Sequence, residues 1–159
     1  MKLFELLKLH DPALVPSATV VHLATHNGHD EPLDVRRRKL RARVGRHFRA
    51  DPSASVLEFI GEMLRVPMFD DASVHLRTAR QDPAVLADRV RRAVCDWLDA
   101  ECSAGPVVWL LEDLQWADAP SLELVDFALE RLADKPFMVV ATGRPELDAR
   151  FGSLWASRH

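Results

Sequence analysis

The sequence predicts an α/β fold in which a mainly helical portion leads into a parallel sheet. Two unbroken apolar runs, Val107–Leu111 and Phe137–Ala141, have the length and composition of strands that are buried on both faces. Between them, Asp118 and Pro120 mark the start of a helix that continues with apolar residues at helical spacing. A strand–helix–strand unit of this length makes both strands parallel, so their carboxyl ends meet at one edge of the sheet.

The chain before the first apolar run is predicted to be mainly helical. Acidic residues followed by proline mark the starts of three helices, because Asp caps a helix and Pro suits its first turn. These starts lie at residues 30–32, 51–52 and 82–83. Two segments stay open: residues 2–9 could form a short helix, and residues 18–24 fit a strand or a helix by periodicity.

One of these helices is strongly basic. Eight Arg or Lys lie at positions 36–49, while Leu33, Leu40, Val44 and Phe48 share one face. Such a run could contact nucleic acid or an acidic partner surface. No interleaved aromatic residues and no known reader motif accompany the charges, so we favour a solvated face over nucleic-acid binding.

Composition excludes several classes of protein. The chain has 159 residues, 48% of them hydrophobic, and no apolar run approaches the roughly 20 residues that a membrane helix needs. The net charge of -3 does not by itself demand a nucleic acid or an anionic membrane as partner. Two cysteines cannot support a disulfide scaffold, and the opening stretch MKLFELLKLH is too short for a signal peptide. We therefore expect a cytoplasmic protein.

Polar residues follow both predicted strands. Glu112 and Asp113 come directly after the first strand, and Thr142 and Arg144 come just after the second. Ligands of parallel α/β proteins bind at this edge. A nucleoside triphosphate with magnesium needs one carboxylate for the hydrated metal, a second to orient water, and a hydroxyl or cation near the terminal phosphate. The four residues therefore predict a nucleotide site.

The residues around this edge resemble a known family. The stretch VVWLLEDLQWADAPSLELVDFAL resembles the Walker B strand and following helix of AAA+ and STAND-type P-loop ATPase domains of bacterial multidomain signalling proteins. The stretch VVATGRPEL is similar to their next strand with its sensor-1 end. The resemblance spans residues 105–147 and implies a partial P-loop NTPase sheet of the ASCE type, with ATP and Mg²⁺ as cofactors. More loosely, residues 31–47 and 74–94 resemble the helical stretch before Walker B in kinase-fused ATPases, which implies a helix at residues 18–25.

The resemblance also implies roles for single residues. Glu112 takes the place of the acid that coordinates magnesium, here through water, and Asp113 takes that of the catalytic acid that polarises water. Which of the two acids has which role stays open, because the family more often has Asp at the first of these positions. Thr142 and Arg144 match the sensor-1 region that responds to the γ-phosphate. Two further residues of the motif are expected to be structural. Trp116 is expected to be a packing anchor, and Asp118 is expected to be a helix cap.

One departure from the family concerns the phosphate loop. No G-x-x-x-x-G-K-[ST] occurs in the sequence, so loop amides and a lysine for the phosphates are missing. In the family that loop would fall before Met1, and we expect a truncated ATPase domain that is inactive in isolation. Its segments are the helical part, the unit with both motifs, and a tail: residues 1–104, 105–150 and 151–159. Without the phosphate-loop strand, Phe137–Ala141 is expected to form an exposed edge.

Two functions follow from these expectations. The first is a fragment of an ATP-binding regulatory domain that couples nucleotide state to an output, with protein partners or fused kinase, helical-repeat or DNA-binding domains. The alternative is a degenerate interaction module that binds a protein through its helices and its open strand edge, without nucleotide.

Overall fold

The computed structural model describes residues 7–9, 19–23, 31–48, 53–69 and 71–145. These residues form four strands: Leu7–Leu9 (β1), Thr19–Leu23 (β2), Val107–Leu111 (β3) and Phe137–Ala141 (β4). They also form five α-helices: Leu33–Val44 (α1), Ser53–Met63 (α2), Val74–Ala79 (α3), Pro83–Ala104 (α4) and Ala119–Arg131 (α5). Strands and helices occur together, which confirms an α/β fold.

The strands form one sheet in the order β1-β2-β3-β4. β1 pairs antiparallel with β2, whereas β2, β3 and β4 run parallel. β3 is a central strand, with Leu111 opposite both Leu23 and Ala141. The predicted strand–helix–strand unit is confirmed, with α5 as its helix, and both strands have the predicted bounds.

β2 corrects the expectation of a helix at residues 18–25. Thr19–Leu23 is a strand that pairs with β1 on one side and β3 on the other. Three of its residues, Thr19, Val20 and Val21, are β-branched and favour the extended backbone. Residues 18, 24 and 25 lie outside the described residues. Leu7–Leu9 is likewise a strand, so the short helix considered at residues 2–9 is wrong for residues 7–9. Residues 2–6 lie outside the described residues.

The core lies where α4 packs between the other helices and the sheet. α4 contacts α2, α3, α5 and β3. Trp97 and Leu98 of α4, Trp109 of β3 and Val125 of α5 are all at most 2% exposed. Burial of each such side chain contributes about 1.5–3 kcal/mol to stability. Both tryptophans and Cys95 and Cys102 are buried in the core, as predicted.

Side chains at the helix starts explain why α4 begins where it does. Asp82 accepts a hydrogen bond from the backbone N–H of Ala84 at 2.8 Å, and Pro83 occupies the first turn. The predicted start of α2 at residues 51–52 lies outside the described residues, and the helix itself begins at Ser53. The pattern also missed α3, a helix of six residues with Ser73 as its cap.

The basic helix α1 is less regular in its burial than predicted. Leu40 and Val44 are buried and Phe48 is half-buried, but Leu33 is 41% exposed. Leu33 is the first residue of the helix, nearly two turns ahead of Leu40, so it lies beyond the part that packs. The charged side chain of Arg43, on the same helix, is buried although Leu33 is not.

β4 is the last strand of the sheet that the described residues form. Its sequence is apolar throughout, yet Met138 and Val140 are 53% and 39% exposed. The central strand β3 is buried or half-buried at every position. Apolar strands of parallel sheets are normally covered on both faces, so β4 has the composition of an interior strand at an edge position.

Candidate functional site

The candidate site lies where β3 and β4 end. Because the strands are parallel and Leu111 pairs with Ala141, the residues that follow them leave the sheet at the same edge. We call residues 112–116 and 142–144 together the strand-end rim. Glu112, Asp113, Thr142 and Arg144 are exposed there. The structure therefore brings the predicted residues to one edge.

Backbone hydrogen bonds join the two segments of the rim. The N–H of Thr142 donates to the carbonyl of Leu111 at 2.8 Å, which extends the ladder one step past the strands. The N–H of Leu114 then donates to the carbonyl of Thr142 at 3.0 Å. These bonds hold the chain after β3 against the chain after β4.

Asp113 has an unusual backbone conformation. Its φ of 54° and ψ of 43° lie in the left-handed region, which Asp tolerates better than most residues. The turn lets the following 3₁₀ segment, Leu114–Trp116, begin directly after the acid pair. The N–H of Trp116 donates to the carbonyl of Asp113 at 3.0 Å. Strain of this kind is concentrated at functional sites.

Gln115 is a rim residue that the sequence interpretation missed. Its Nε2 donates to Oδ1 of Asp113 at 3.0 Å, and its Oε1 accepts from the backbone N–H of Arg144 at 3.3 Å. The signal available in the sequence was an amide two residues after the acid pair, since an amide can donate and accept at once. Asp113 is therefore linked to Arg144 by one side chain.

The donor set of the rim suits a hard cation. Glu112 and Asp113 supply carboxylate oxygens, which are preferred ligands of Mg²⁺. Among the described residues, no group of three or more His, Cys, Asp or Glu could hold a metal ion. Magnesium at the rim would therefore keep waters or phosphate oxygens as its other ligands, as it commonly does in nucleotide sites.

Asp118 caps the helix α5, as predicted. Its Oδ1 accepts hydrogen bonds from the N–H of Ser121 at 3.1 Å and from the Ser121 hydroxyl. Burial raises the pKa of Asp118 and the hydrogen bonds from Ser121 lower it, and the net pKa lies below its usual value. The cap fixes where α5 leaves the rim.

Trp116 contradicts the expectation of a packing anchor. Its side chain is 65% exposed, whereas the neighbouring Leu114 and Ala117 are buried. The 3₁₀ segment turns Leu114 into the core and places Trp116 on the outer side, because side chains in so tight a turn point in different directions. An exposed tryptophan thus stands beside the acid pair.

A buried charged cluster between α1 and α4 was not predicted. Arg43 of α1 and Glu101 of α4 form a two-bonded ion pair, with Nη2 to Oε2 at 2.7 Å. Trp97 Nε1 donates to Glu101 Oε1 at 3.2 Å, and the Arg43 guanidinium lies 5.2 Å from the Trp97 ring centroid. His47 Nε2 is 3.5 Å from Glu101 Oε1. The cluster fastens α1 to α4.

Other arginines of α1 also bind the protein itself. Arg36, Arg37 and Arg41 donate to backbone carbonyls of the loop after α2, with Arg41 Nη2 to the Met68 carbonyl at 2.9 Å. Arg41 is exposed, as expected for a solvated face, whereas Arg36 and Arg37 are half-buried, and all three guanidinium groups also satisfy loop carbonyls. The basic helix serves the fold at these positions.

A surface groove of about 720 Å³ lies apart from the rim. It is lined by residues of α4 and α5 with charges of both signs: Arg92, Asp96, Phe127, Glu130 and Arg131. None of these belongs to the strand-end rim.

Comparisons with known proteins leave the family open. No protein-family model matches the chain, and no solved structure matches it. An uncharacterized protein of Rhizobium meliloti (strain 1021) is similar to this chain, with 34% identity over 77 residues. The aligned part is 48% of this chain and 7% of that protein, so the chain spans only a small part of its relative.

The described residues form five α-helices, of which α4 has 22 residues. None of them combines the length and the apolar character that crossing a bilayer requires.

Proposed function

We propose that this chain contributes the Walker B and sensor-1 edge of an ATP-binding AAA+/STAND-type regulatory domain in a bacterial signalling protein. One observation carries the proposal. Two acids at the end of a central parallel strand are joined, through the backbone and Gln115, to the residues that follow the neighbouring strand. This arrangement suits a triphosphate that must be contacted by carboxylates and by a second strand end at once.

Four residues of the rim have tasks under this proposal: Glu112, Asp113, Thr142 and Arg144. Bound magnesium would supply charge neutralisation for the phosphates. Glu112 would hold the metal through water, and Asp113 would accept a hydrogen bond from the attacking water and orient it. The Thr142 hydroxyl and the Arg144 guanidinium lie on the adjacent strand end, where they respond to the γ-phosphate. The roles of the two acids can be exchanged.

A phosphate-binding loop must be added to the rim for ATP to bind. The sequence has no such loop, so further sequence of the same protein or another chain would supply it. The exposed apolar strand β4 supports a neighbouring strand at this side of the sheet. The length of the Rhizobium meliloti relative is in keeping with a multidomain protein. Buried free thiols at Cys95 and Cys102 support a reducing cytoplasm.

The second candidate function is an interaction module without nucleotide. It is favoured by exposed apolar side chains at Trp116, Met138 and Val140, which lie on the rim or on β4. Large exposed apolar groups often mark protein contacts. Partners would then be proteins or fused domains, with no direct nucleic-acid or membrane contact.

Calorimetry with magnesium-ATP distinguishes the two functions. The chain is titrated alone and together with the sequence that flanks it in its gene. We expect the longer protein to bind ATP and release phosphate, and Asp113→Asn to lower turnover at least about 100-fold, since that is the scale of a lost acid–base group. Asp134→Asn, the same change at an exposed turn before β4, is the control and should leave turnover unchanged. Failure of both proteins to bind ATP would reject the ATPase proposal and favour the interaction module.

A further inference from the structure

Gln115 joins the two segments of the rim through the two ends of its amide. The Asp113 carboxylate accepts from Nε2, and the Arg144 N–H donates to Oε1. A carboxylate can only accept and a backbone N–H can only donate, so one amide orientation satisfies both. Glutamate lacks the donor, lysine lacks the acceptor and methionine lacks both. The position therefore has a chemical requirement beyond size.

We propose that Gln115 is a positioning residue that couples the location of residues 142–144 to the orientation of the Asp113 carboxylate. This rests on the proposed function, in which residues 142–144 respond to the γ-phosphate and Asp113 orients water. A shift of the Arg144 backbone moves the side-chain amide of Gln115 through the bond to Oε1. The Gln115 amide then rotates the Asp113 carboxylate through the bond from Nε2. The acid is then correctly oriented in one position of the segment only, so a ligand that favours that position also favours the competent acid.

Two backbone hydrogen bonds also join the chain after β3 to the chain after β4, and neither involves the Asp113 carboxylate. Leu114 and Thr142 are joined through their backbones, as are Thr142 and Leu111. They set the path of the chain. The left-handed backbone of Asp113 belongs to neither strand nor helix, so no regular element dictates where its side chain points. Gln115 supplies a side-chain contact that does.

Three variants separate the two bonds in the intact chain. Gln115→Glu keeps the acceptor, Gln115→Lys keeps the donor, and Gln115→Met keeps neither. NMR then follows hydrogen exchange of the Arg144 amide and the carboxyl carbon resonance of Asp113. Arg144 exchange should be about two- to tenfold faster in the Lys and Met variants and unchanged in the Glu variant, as expected for an ordinary hydrogen bond. Equal exchange in all four proteins overturns the proposal.

A change in the other segment tests the coupling itself. Arg144→Pro removes the N–H that donates to Gln115, and Arg144→Ala is the control that loses the same guanidinium. The Asp113 carboxyl resonance should move in the Pro variant but not in the Ala variant, and Gln115→Met should abolish that movement. A movement that persists beside Gln115→Met overturns the coupling. If Arg144→Pro does not fold, the exchange pattern of the three Gln115 variants decides.

Manganese separates this proposal from the proposed function. Mn²⁺ and ATP are added to the longer protein that includes the flanking sequence, where Mn²⁺ serves as a paramagnetic probe that broadens signals near its binding site. Broadening at Glu112 and Asp113 supports a metal-binding rim. Its absence, with the exchange pattern intact, counts against the ATPase assignment and supports a coupled rim of another function. Broadening with unchanged Arg144 exchange overturns the coupling alone.

Discussion

Two charged regions of this molecule use their charges in opposite ways. On the α1 side, Arg43 and Glu101 are buried against each other, and further arginines bind loop carbonyls. At the strand-end rim, Glu112, Asp113 and Arg144 are exposed to solvent. Charges of the first region are used in internal contacts of the fold, whereas those of the second lie at the surface, where two strands end.

The comparison shows that charge density in a sequence does not locate a site. The eight cations at positions 36–49 are the densest run in the chain, yet the structure assigns several of them to internal contacts. The rim has few charges, but they stand at the end of a central parallel strand. Topology, more than charge count, identifies the candidate site. Four substitutions test this difference between the regions.

Glu101→Gln should have the largest effect on stability. It leaves the Arg43 guanidinium buried without a counter-charge, so we expect a loss of about 3 kcal/mol in the free energy of unfolding. Urea denaturation followed by tryptophan fluorescence measures it. Glu123→Gln, which breaks the exposed pair with Arg91, is the control and should cost at most about 1 kcal/mol. Equal losses in both variants would mean that the buried pair does not hold α1 on α4.

Asp118→Ala should have an intermediate effect. Loss of the cap at the start of α5 is expected to cost about 1 kcal/mol. Because the folded state lowers the pKa of Asp118, the wild-type advantage is complete above about pH 4 and declines as the pH falls through the folded pKa. Denaturation of both proteins from pH 7 to pH 3 checks this. A difference that grows toward acid would contradict the assigned role.

Replacement of the two left-handed residues by glycine should have the smallest effect. Arg65 and Asp113 both have φ of 54°, one in the turn after α2 and one at the rim. Left-handed backbone costs an ordinary residue about 1–2 kcal/mol, and the entropy cost of glycine is about 0.5–1 kcal/mol. Arg65→Gly should therefore raise stability by about 0.5 kcal/mol, whereas Asp113→Gly should change it by less, since Asp tolerates this conformation.

Thermal and urea denaturation of both glycine variants provide the measurement. A loss above about 1 kcal/mol in Asp113→Gly alone would show that the acid is a structural residue. A small change would fit a residue retained for a ligand.

Local patterns predicted the part of the fold that is continuous in sequence. β3, α5 and β4 follow from two apolar runs and one capped helix, and the parallel edge follows from their connection. β2 could not be predicted in the same way, because β3, the strand with which it pairs in parallel, lies far away in sequence. The family resemblance favoured a helix there, and the pairing with β3 overrides it.

The candidate site likewise contains residues that local sequence patterns predicted and a residue that they could not predict. Glu112, Asp113, Thr142 and Arg144 were found because each follows a predicted strand. Gln115 was not, since its role depends on the backbone N–H of Arg144, 29 residues away. The buried pair Arg43–Glu101 spans 58 residues and has no local signature. Contacts that depend on three-dimensional proximity are invisible to periodicity.

The two core cysteines make the rim convenient for labelling. Burial raises the pKa of Cys95 to about 12 and also raises the pKa of Cys102, so at neutral pH both remain thiols and react slowly with maleimides or iodoacetamide. A cysteine introduced in place of an exposed side chain such as Trp116 would then be the dominant nucleophile. A fluorophore or spin label could be attached there without first removing the native sulfhydryl groups.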